Sequence, residues 1–222
     1  MIELSTHSGK ASVARMMKSL LAALAALQLT VTALPAGPIE RIVTPVVKPY
    51  DILEHWELDF ESGAFWKFGQ QATPLNYVFV PQVLTIKTPV HFSWKFLGGD
   101  LTLRSRVSFL VQPITVGPED YFFGITGSGS IEWWNASRTF SLFLASGGGK
   151  GYMNSKGYQI AGAQGRDWNF TWFVYSGFRY RFSEHMSVSL GAHYQHVSNR
   201  DTNPINPGVN AIGPMLSVGY HF

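Results

Sequence analysis

The stretch "WNFTWFVYSGFRYRF", Trp168–Phe182, alternates along its whole length. Trp168, Phe170, Trp172, Val174, Ser176, Phe178, Tyr180 and Phe182 fall on one parity, and Asn169, Thr171, Gly177, Arg179 and Arg181 on the other. A period of two places these sets on opposite faces of a β-strand. Strands of soluble proteins run to roughly 5–6 residues, and this one is far longer. One face is almost wholly aromatic; the other is small, polar or cationic. Such a strand has to satisfy an apolar environment on one side and a polar one on the other.

The same alternation recurs elsewhere. Leu101, Leu103, Val107, Phe109 and Val111 oppose Thr102, Arg104, Arg106, Ser108 and Gln112. Trp56, Leu58, Phe60 and Ala64 oppose Glu57, Asp59, Glu61 and Gly63. Tyr121, Phe123, Ile125, Ile131 and Trp133 oppose Thr126, Ser128, Ser130 and Glu132. The polar faces carry both signs of charge, so they can pair with one another inside a narrow barrel. This predicts an all-β fold, an eight-stranded antiparallel transmembrane β-barrel with a filled polar interior rather than an open pore. A secreted barrel of lipocalin type would need an apolar interior instead. The low charged fraction of 14% beside 14% aromatics fits a chain with an apolar outer wall.

The strands are expected near 55–68, 75–86, 90–112, 119–133, 139–146, 168–182, 186–198 and 211–222. Parity flips at Gly98–Gly99 within the third, which predicts a bulge, kink or short break there. Tight connections at Trp134–Arg138 and Ser183–His185 alternate with long ones at Gly147–Asp167 and Asn199–Val209. Outer-membrane barrels have short periplasmic turns and long outer loops. The last strand ends "LSVGYHF" on Phe222, similar to the terminal aromatic assembly signal of Gram-negative outer-membrane barrels. A Gram-negative outer-membrane location is therefore expected, with the barrel over 55–222.

Ahead of the barrel, "RMMKSLLAALAALQLTVTALPA" has a basic start (Arg15, Lys18), an apolar centre and small residues at Ala33 and Ala36. It predicts a secretory signal over 1–36, cleaved after Ala33 or Ala36, with Met16 or Met17 as alternative starts. A leader rich in Pro and Val is expected over 37–54. Cysteine is absent, which excludes disulfides and thiolate chemistry. The net charge of +3 is small and scattered, so nucleic acid is not an expected partner. No metal or cofactor is expected: His55, His91, His185 and His221 lack ligand spacing, and no carboxylate cluster reads as a calcium loop. "SGGGKG" at Ser146–Gly151 lacks phosphate-loop spacing and reads as a surface loop. Lys150, Lys156 and Arg166 are then placed in the long outer loop, within reach of lipid phosphates.

The candidate chemistry lies near the C-terminus. In "MSVSLGAHYQHVS", Met186, Val188, Leu190, Ala192, Tyr194, His196 and Ser198 share one parity. The apolar, lipid-facing side thus continues into His196 and Ser198. With both termini periplasmic, the two side chains reach the outer rim, where a strand can simply have entered the head-group zone. Polar groups on a lipid-facing surface otherwise call for a reason. His193 has the opposite parity and is expected in the lumen as a hydrogen-bonding residue.

"GAHYQHVSN" followed by "NPGVN" resembles the lipid A 3-O-deacylase family of outer-membrane esterases (PagL-type). "GAQGRDWNFTW" at Gly162–Trp172 and "WELDFESGAFWKFG" at Trp56–Gly69 look similar to that family as well. Its most specific parts here are His196-Val197-Ser198-Asn199 and Gln164-Gly165 with Asn169-Phe170. The resemblance implies an ester hydrolase acting on the 3-linked hydroxyacyl chain of lipid A in the outer leaflet. It implies Ser198 as nucleophile and His196 as general base and acid. Asn199 matches a position associated with the oxyanion hole, and Asn206 matches a loop asparagine of the motif. Two positions depart from the pattern. Asn210 stands where the family carries a Glu that orients the His, and Arg200-Asp201 replaces a small Ala-Gly. An amide can accept a hydrogen bond from the ring but cannot stabilise imidazolium by charge, so weaker catalysis than with Glu is expected. The second reading is a non-catalytic structural barrel or an inactive family member, with Asn210 as its main support. The preferred acyl length and the oligomeric state, a homodimer included, are left open.

Overall fold

A computed structural model describes residues 50–69 and 72–222. The expected signal sequence and residues 37–49 of the expected leader lie outside the described residues. Eleven strand segments form one sheet that closes on itself as an eight-stranded antiparallel barrel. The first stave is β1 (Glu57–Gly63), continued by β2 (Phe65–Lys67). The second is broken into β3 (Val78–Phe79), β4 (Gln82–Lys87) and β5 (Phe92–Phe96). Each of the other six is a single strand: β6 (Gly99–Val116), β7 (Tyr121–Trp134), β8 (Phe140–Met153), β9 (Trp168–Arg181), β10 (Met186–Ser198) and β11 (Val209–His221). β1 pairs with β11 from Glu57↔His221 to Gly63↔Met215, which closes the barrel; among the described strands only β5, paired with β6 alone, keeps an open edge.

Two expected boundaries are corrected. Residues 90–112 are not one strand. The chain reverses at Leu97 (φ 48) and Gly98 (φ 72), and β5 folds back on β6 from Phe92↔Leu103 to Phe96↔Gly99. The parity flip at Gly98–Gly99 therefore marks a hairpin turn rather than a bulge. The fifth strand does not stop at Ser146 either. "SGGGKG" lies inside β8, paired with β7 from Ser146↔Gly129 to Gly151↔Gly124. Glycine is normally a poor strand residue. Here a Cβ at Gly147 would lie 2.2 Å from the Gly127 carbonyl oxygen, and one at Gly149 would lie 1.9 Å from that of Ile125. Only glycine permits this approach. The long loop is consequently 154–167.

The interior has two zones. Toward the tight-turn end it is ionic. Glu57 takes Arg104 Nη1 at 2.8 Å and Lys87 Nζ at 3.1 Å, and it also pairs with Arg179. Arg106 pairs with Glu61 at 2.7 Å, and Arg179 Nε lies 3.4 Å from Glu132. These are the polar parities of the sequence, facing inward and neutralising one another. Toward the long-loop end the filling is apolar: Phe65, Phe79, Leu110, Phe122, Met153 and Met215 cluster with Tyr77 and Tyr175. The expected polar interior thus describes one half of the barrel. Gln112 and Gln195 exchange amide hydrogen bonds, each of 3.0 Å. An interior cavity of about 10 Å³ between these groups holds at most a single water, so the barrel is plugged, not a channel.

Outside, two aromatic belts bound the apolar wall. Trp94, Phe140, Tyr180, Tyr220 and Phe222 are exposed at the tight-turn end, and Trp66, Phe68, Phe123, Trp168 and Trp172 at the other. Two such girdles are what a membrane-spanning barrel presents to the two interfaces. Below the barrel, Asp51 caps a 3-10 turn over Ile52–Glu54 whose Ile52 and Leu53 are buried. The end of the expected leader is therefore part of the folded body.

Candidate active site

The site arises from strand register. His196 of β10 is paired with Asn210 of β11 on one side and with Trp172 of β9 on the other. Ser198 is paired with Phe170. Directly opposed residues project from the same face of a sheet, so His196, Asn210, Trp172, Ser198 and Phe170 all point to the outer wall. Nδ1 of His196 lies 2.6 Å from Oδ1 of Asn210. The Trp172 ring packs against the imidazole with centroids 6.0 Å apart. Gly208, at φ +66, closes the other side: a Cβ there would sit 3.1 Å from His196 Cε1.

His196 and Ser198 both line a groove of about 890 Å³ on the outer surface. It crosses the wall from β10 over β9 and β8 to Ile125 and Gly127 of β7 and Val107 of β6. Its floor is low because Gly127 and Gly148 occupy outward positions where other staves carry Leu, Ile or Phe. The groove is mostly apolar and lies beside the bilayer, not inside the barrel. Lys150 and Arg200 are its cationic lining residues. Lys150 therefore belongs to β8 and to the groove, a correction to its expected place in the long loop. Arg166 does lie in that loop and donates to Thr202 O at 3.4 Å.

Asn199 and Asn206 are brought together as parts of a turn. The backbone N–H of Asn199 donates to Asn206 Oδ1 at 2.8 Å, and the Asn199 amide donates to Ile205 O at 2.9 Å. Asn206 in turn donates to Asp201 Oδ1 at 2.8 Å. The backbone donor of Asn199 is thus committed to shaping the loop. Arg200 (φ 53) and Asp201 (φ 58) both hold the left-handed conformation. That geometry favours glycine, and Asp tolerates it better than most residues. The Asp201 carboxylate is anchored by Asn206 and exposed.

His193 points inward as expected, but its role differs. It is stacked between Phe65 at 4.7 Å and Phe173 at 5.1 Å, and its Nδ1 has no hydrogen-bond partner. It packs as an aromatic ring. Gln164 and Asn169 also serve the loops. The Gln164 backbone N–H donates to Glu119, whose other oxygen accepts from Tyr77 at 2.7 Å. Asn169 ties back to Arg166 O at 2.6 Å. Gly208, Trp172 and the outward glycines have no site role legible in the sequence alone. Only a register could have shown that they meet His196 or floor the groove. Among the described residues, no group of His, Asp and Glu could hold a metal ion.

These features define an eight-stranded outer-membrane β-barrel with an ionic interior and a groove on its lipid-facing wall that His196 and Ser198 line. The chain belongs to the lipid A 3-O-deacylase (PagL) family, whose profile matches residues 53–221. No curated protein matches it. Among solved structures, the outer membrane enzyme PagL is 15% identical, with 72% of this chain and 97% of that chain covered at a TM-score of 0.49. Neisserial surface protein A is 11% identical, with 75% of this chain and 97% of that one covered at a TM-score of 0.53. At these identities the second likeness speaks for the shared fold alone. Family and fold together point to a Gram-negative outer membrane.

Proposed function

We propose that this protein is an outer-membrane esterase that removes the 3-linked hydroxyacyl chain of lipid A, with Ser198 as nucleophile. The observation that carries this is the His196–Asn210 hydrogen bond at 2.6 Å, made on the lipid-facing wall of a groove that Ser198 shares. With an oxygen facing Nδ1, that nitrogen carries the proton, and Nε2 keeps the lone pair a general base needs. Nε2 takes the Ser198 proton as Oγ attacks the ester carbonyl. The resulting imidazolium then protonates the sugar oxygen as the C–O bond breaks. Water hydrolyses the acyl-serine by the same relay in reverse. The backbone N–H groups of the left-handed Arg200–Asp201 turn are the donors left to face the oxyanion, since that of Asn199 is held by Asn206.

Lipid A of the outer leaflet fits this placement. An acyl chain can lie in the apolar groove while its ester meets Ser198 at the interface, without entering the barrel. The test is mass spectrometry of lipid A incubated with purified protein in detergent. Loss of one 3-linked hydroxyacyl chain is expected, abolished by Ser198→Ala. Deacylation that survives that change would overturn the assignment of the nucleophile. The second reading, a barrel without activity, is favoured by Asn210 in place of a carboxylate. An unchanged acyl pattern with the wild-type protein would establish it.

A further inference from the structure

We propose that Lys150 and Arg200 form a phosphate-binding subsite of the groove, which recognises the phosphorylated sugar of the glycolipid whose ester meets Ser198. This rests on the esterase reading and adds what that reading lacks, a reason for the orientation of the substrate. The two cations come from different elements, β8 and the turn after β10, yet both are held over one ring. The Arg200 guanidinium carbon lies 5.0 Å from the Phe170 centroid and Lys150 Nζ lies 5.8 Å from it. Lys150 Nζ also lies 5.0 Å from the Trp168 centroid. Aromatic faces hold cations in place without neutralising them.

The cations also lack a carboxylate. Among the described residues neither enters an ion pair, and Asp167 and Asp201 accept other hydrogen bonds. Asp167 accepts from Tyr152 at 3.1 Å and from the Ser155 N–H at 3.0 Å, while Asp201 accepts from Asn206. The buried basic groups Lys87, Arg104, Arg106 and Arg179 are paired with acids, whereas Lys150 and Arg200 are exposed on the outer wall. At the level of an aromatic belt these two exposed cations stand at the membrane interface, where lipid head groups reach them. At that level the anion on offer is a lipid phosphate, which a guanidinium and an ammonium bind by charge-assisted hydrogen bonds.

The test is binding to the Ser198→Ala protein in zwitterionic micelles, read by the fluorescence of Trp168 and Trp172. The probes are bisphosphorylated lipid A and the same lipid freed of phosphate. The phosphorylated lipid is expected to bind at least about tenfold more tightly, a preference that salt erodes. Arg200→Gln and Lys150→Gln are each expected to reduce the ratio, and the double variant to bring it near one. The heat-dependent gel mobility of the folded barrel verifies that each variant is intact. Equal binding of the two lipids, or a ratio that survives the double variant, overturns the proposal. Displacement of the lipid by millimolar inorganic phosphate would overturn the membrane lipid as the source of the anion. Because the serine variant binds without turnover, a wild-type protein that fails to deacylate would sink the esterase reading and leave this ratio standing.

Discussion

His196 and Asn210 face each other across β10 and β11 with Nδ1 2.6 Å from Oδ1, on the outer wall of the barrel. In the proposed mechanism the amide holds the tautomer of the ring but brings no negative charge to the imidazolium of ester attack. Asn210→Glu supplies that charge at the same register position. We expect kcat on lipid A to rise by at least about tenfold, since loss of the acid in an analogous triad costs far more than that. Asn210→Ala leaves the ring unheld, and kcat should fall by a similar factor. The steady-state rates of the three proteins, measured side by side in detergent, check this. A glutamate variant no faster than wild type would mean that Asn210 does not occupy the orienter's place.

Gly208 holds the other side of that ring. Its φ of +66 is costly for any residue with a Cβ, and a Cβ there would approach His196 Cε1 to 3.1 Å. Gly208→Ala should therefore cost about 1–2 kcal/mol of local strain and displace the imidazole from Asn210. The expected result is a lower kcat with little change in KM and an intact barrel by gel mobility. A variant with wild-type kcat would show that the ring tolerates the methyl group.

How far the sequence revealed this arrangement depends on what a period of two can carry. Alternation exposed the strands, their two faces, and the outward side of His196 and Ser198, because parity needs no knowledge of partners. It assigned Arg104, Arg106, Arg179 and the acids of β1 to the interior, where they meet. It could not see chain reversal. The flip at Gly98–Gly99 looks the same for a bulge and a hairpin, and only the pairing of Trp94 with Leu101 distinguishes them. The glycines of β8 misled for another reason. Glycine usually ends strands, but here backbone crowding against Gly127 and Ile125 demands it. The meeting of Lys150 with Arg200 over Phe170 depends on register across three elements, which no local pattern encodes. His196, Ser198 and Asn210 were legible as a set through the motif resemblance, and the His196–Asn210 bond only through the fold.

Gly127 offers a clean probe of the groove. It lies on the groove floor, and a Cβ added there meets nothing within 4 Å. Gly127→Leu thus fills the furrow without straining the strand, unlike a change at Gly148, where a Cβ would lie 2.8 Å from Thr171 O. If an acyl chain occupies this furrow, KM for long-chain substrate should rise by about tenfold, roughly the value of one to two buried methylenes. A substrate with a short ester chain should be affected much less. Equal effects on both chain lengths would place the acyl chain elsewhere.

Glu57 tests whether the plugged interior matters to the wall. Its buried carboxylate serves Lys87, Arg104 and Arg179 together. Glu57→Ala leaves Arg104 without a carboxylate while Lys87 keeps Asp59 and Arg179 keeps Glu132, and removing one partner from a buried pair costs about 3–5 kcal/mol. Glu57→Gln keeps hydrogen bonds to two of the three and should cost less. Both should lower the temperature at which the folded band converts to the unfolded one on a gel, alanine more than glutamine. Glu57 pairs with His221 in strand register, at the far end of β11 from Asn210. The loss should therefore reach the active site only through unfolding, so kcat measured well below the transition should stay near that of wild type. A drop in kcat with no thermal shift would contradict the separation of an ionic, stabilising half from the proposed catalytic rim.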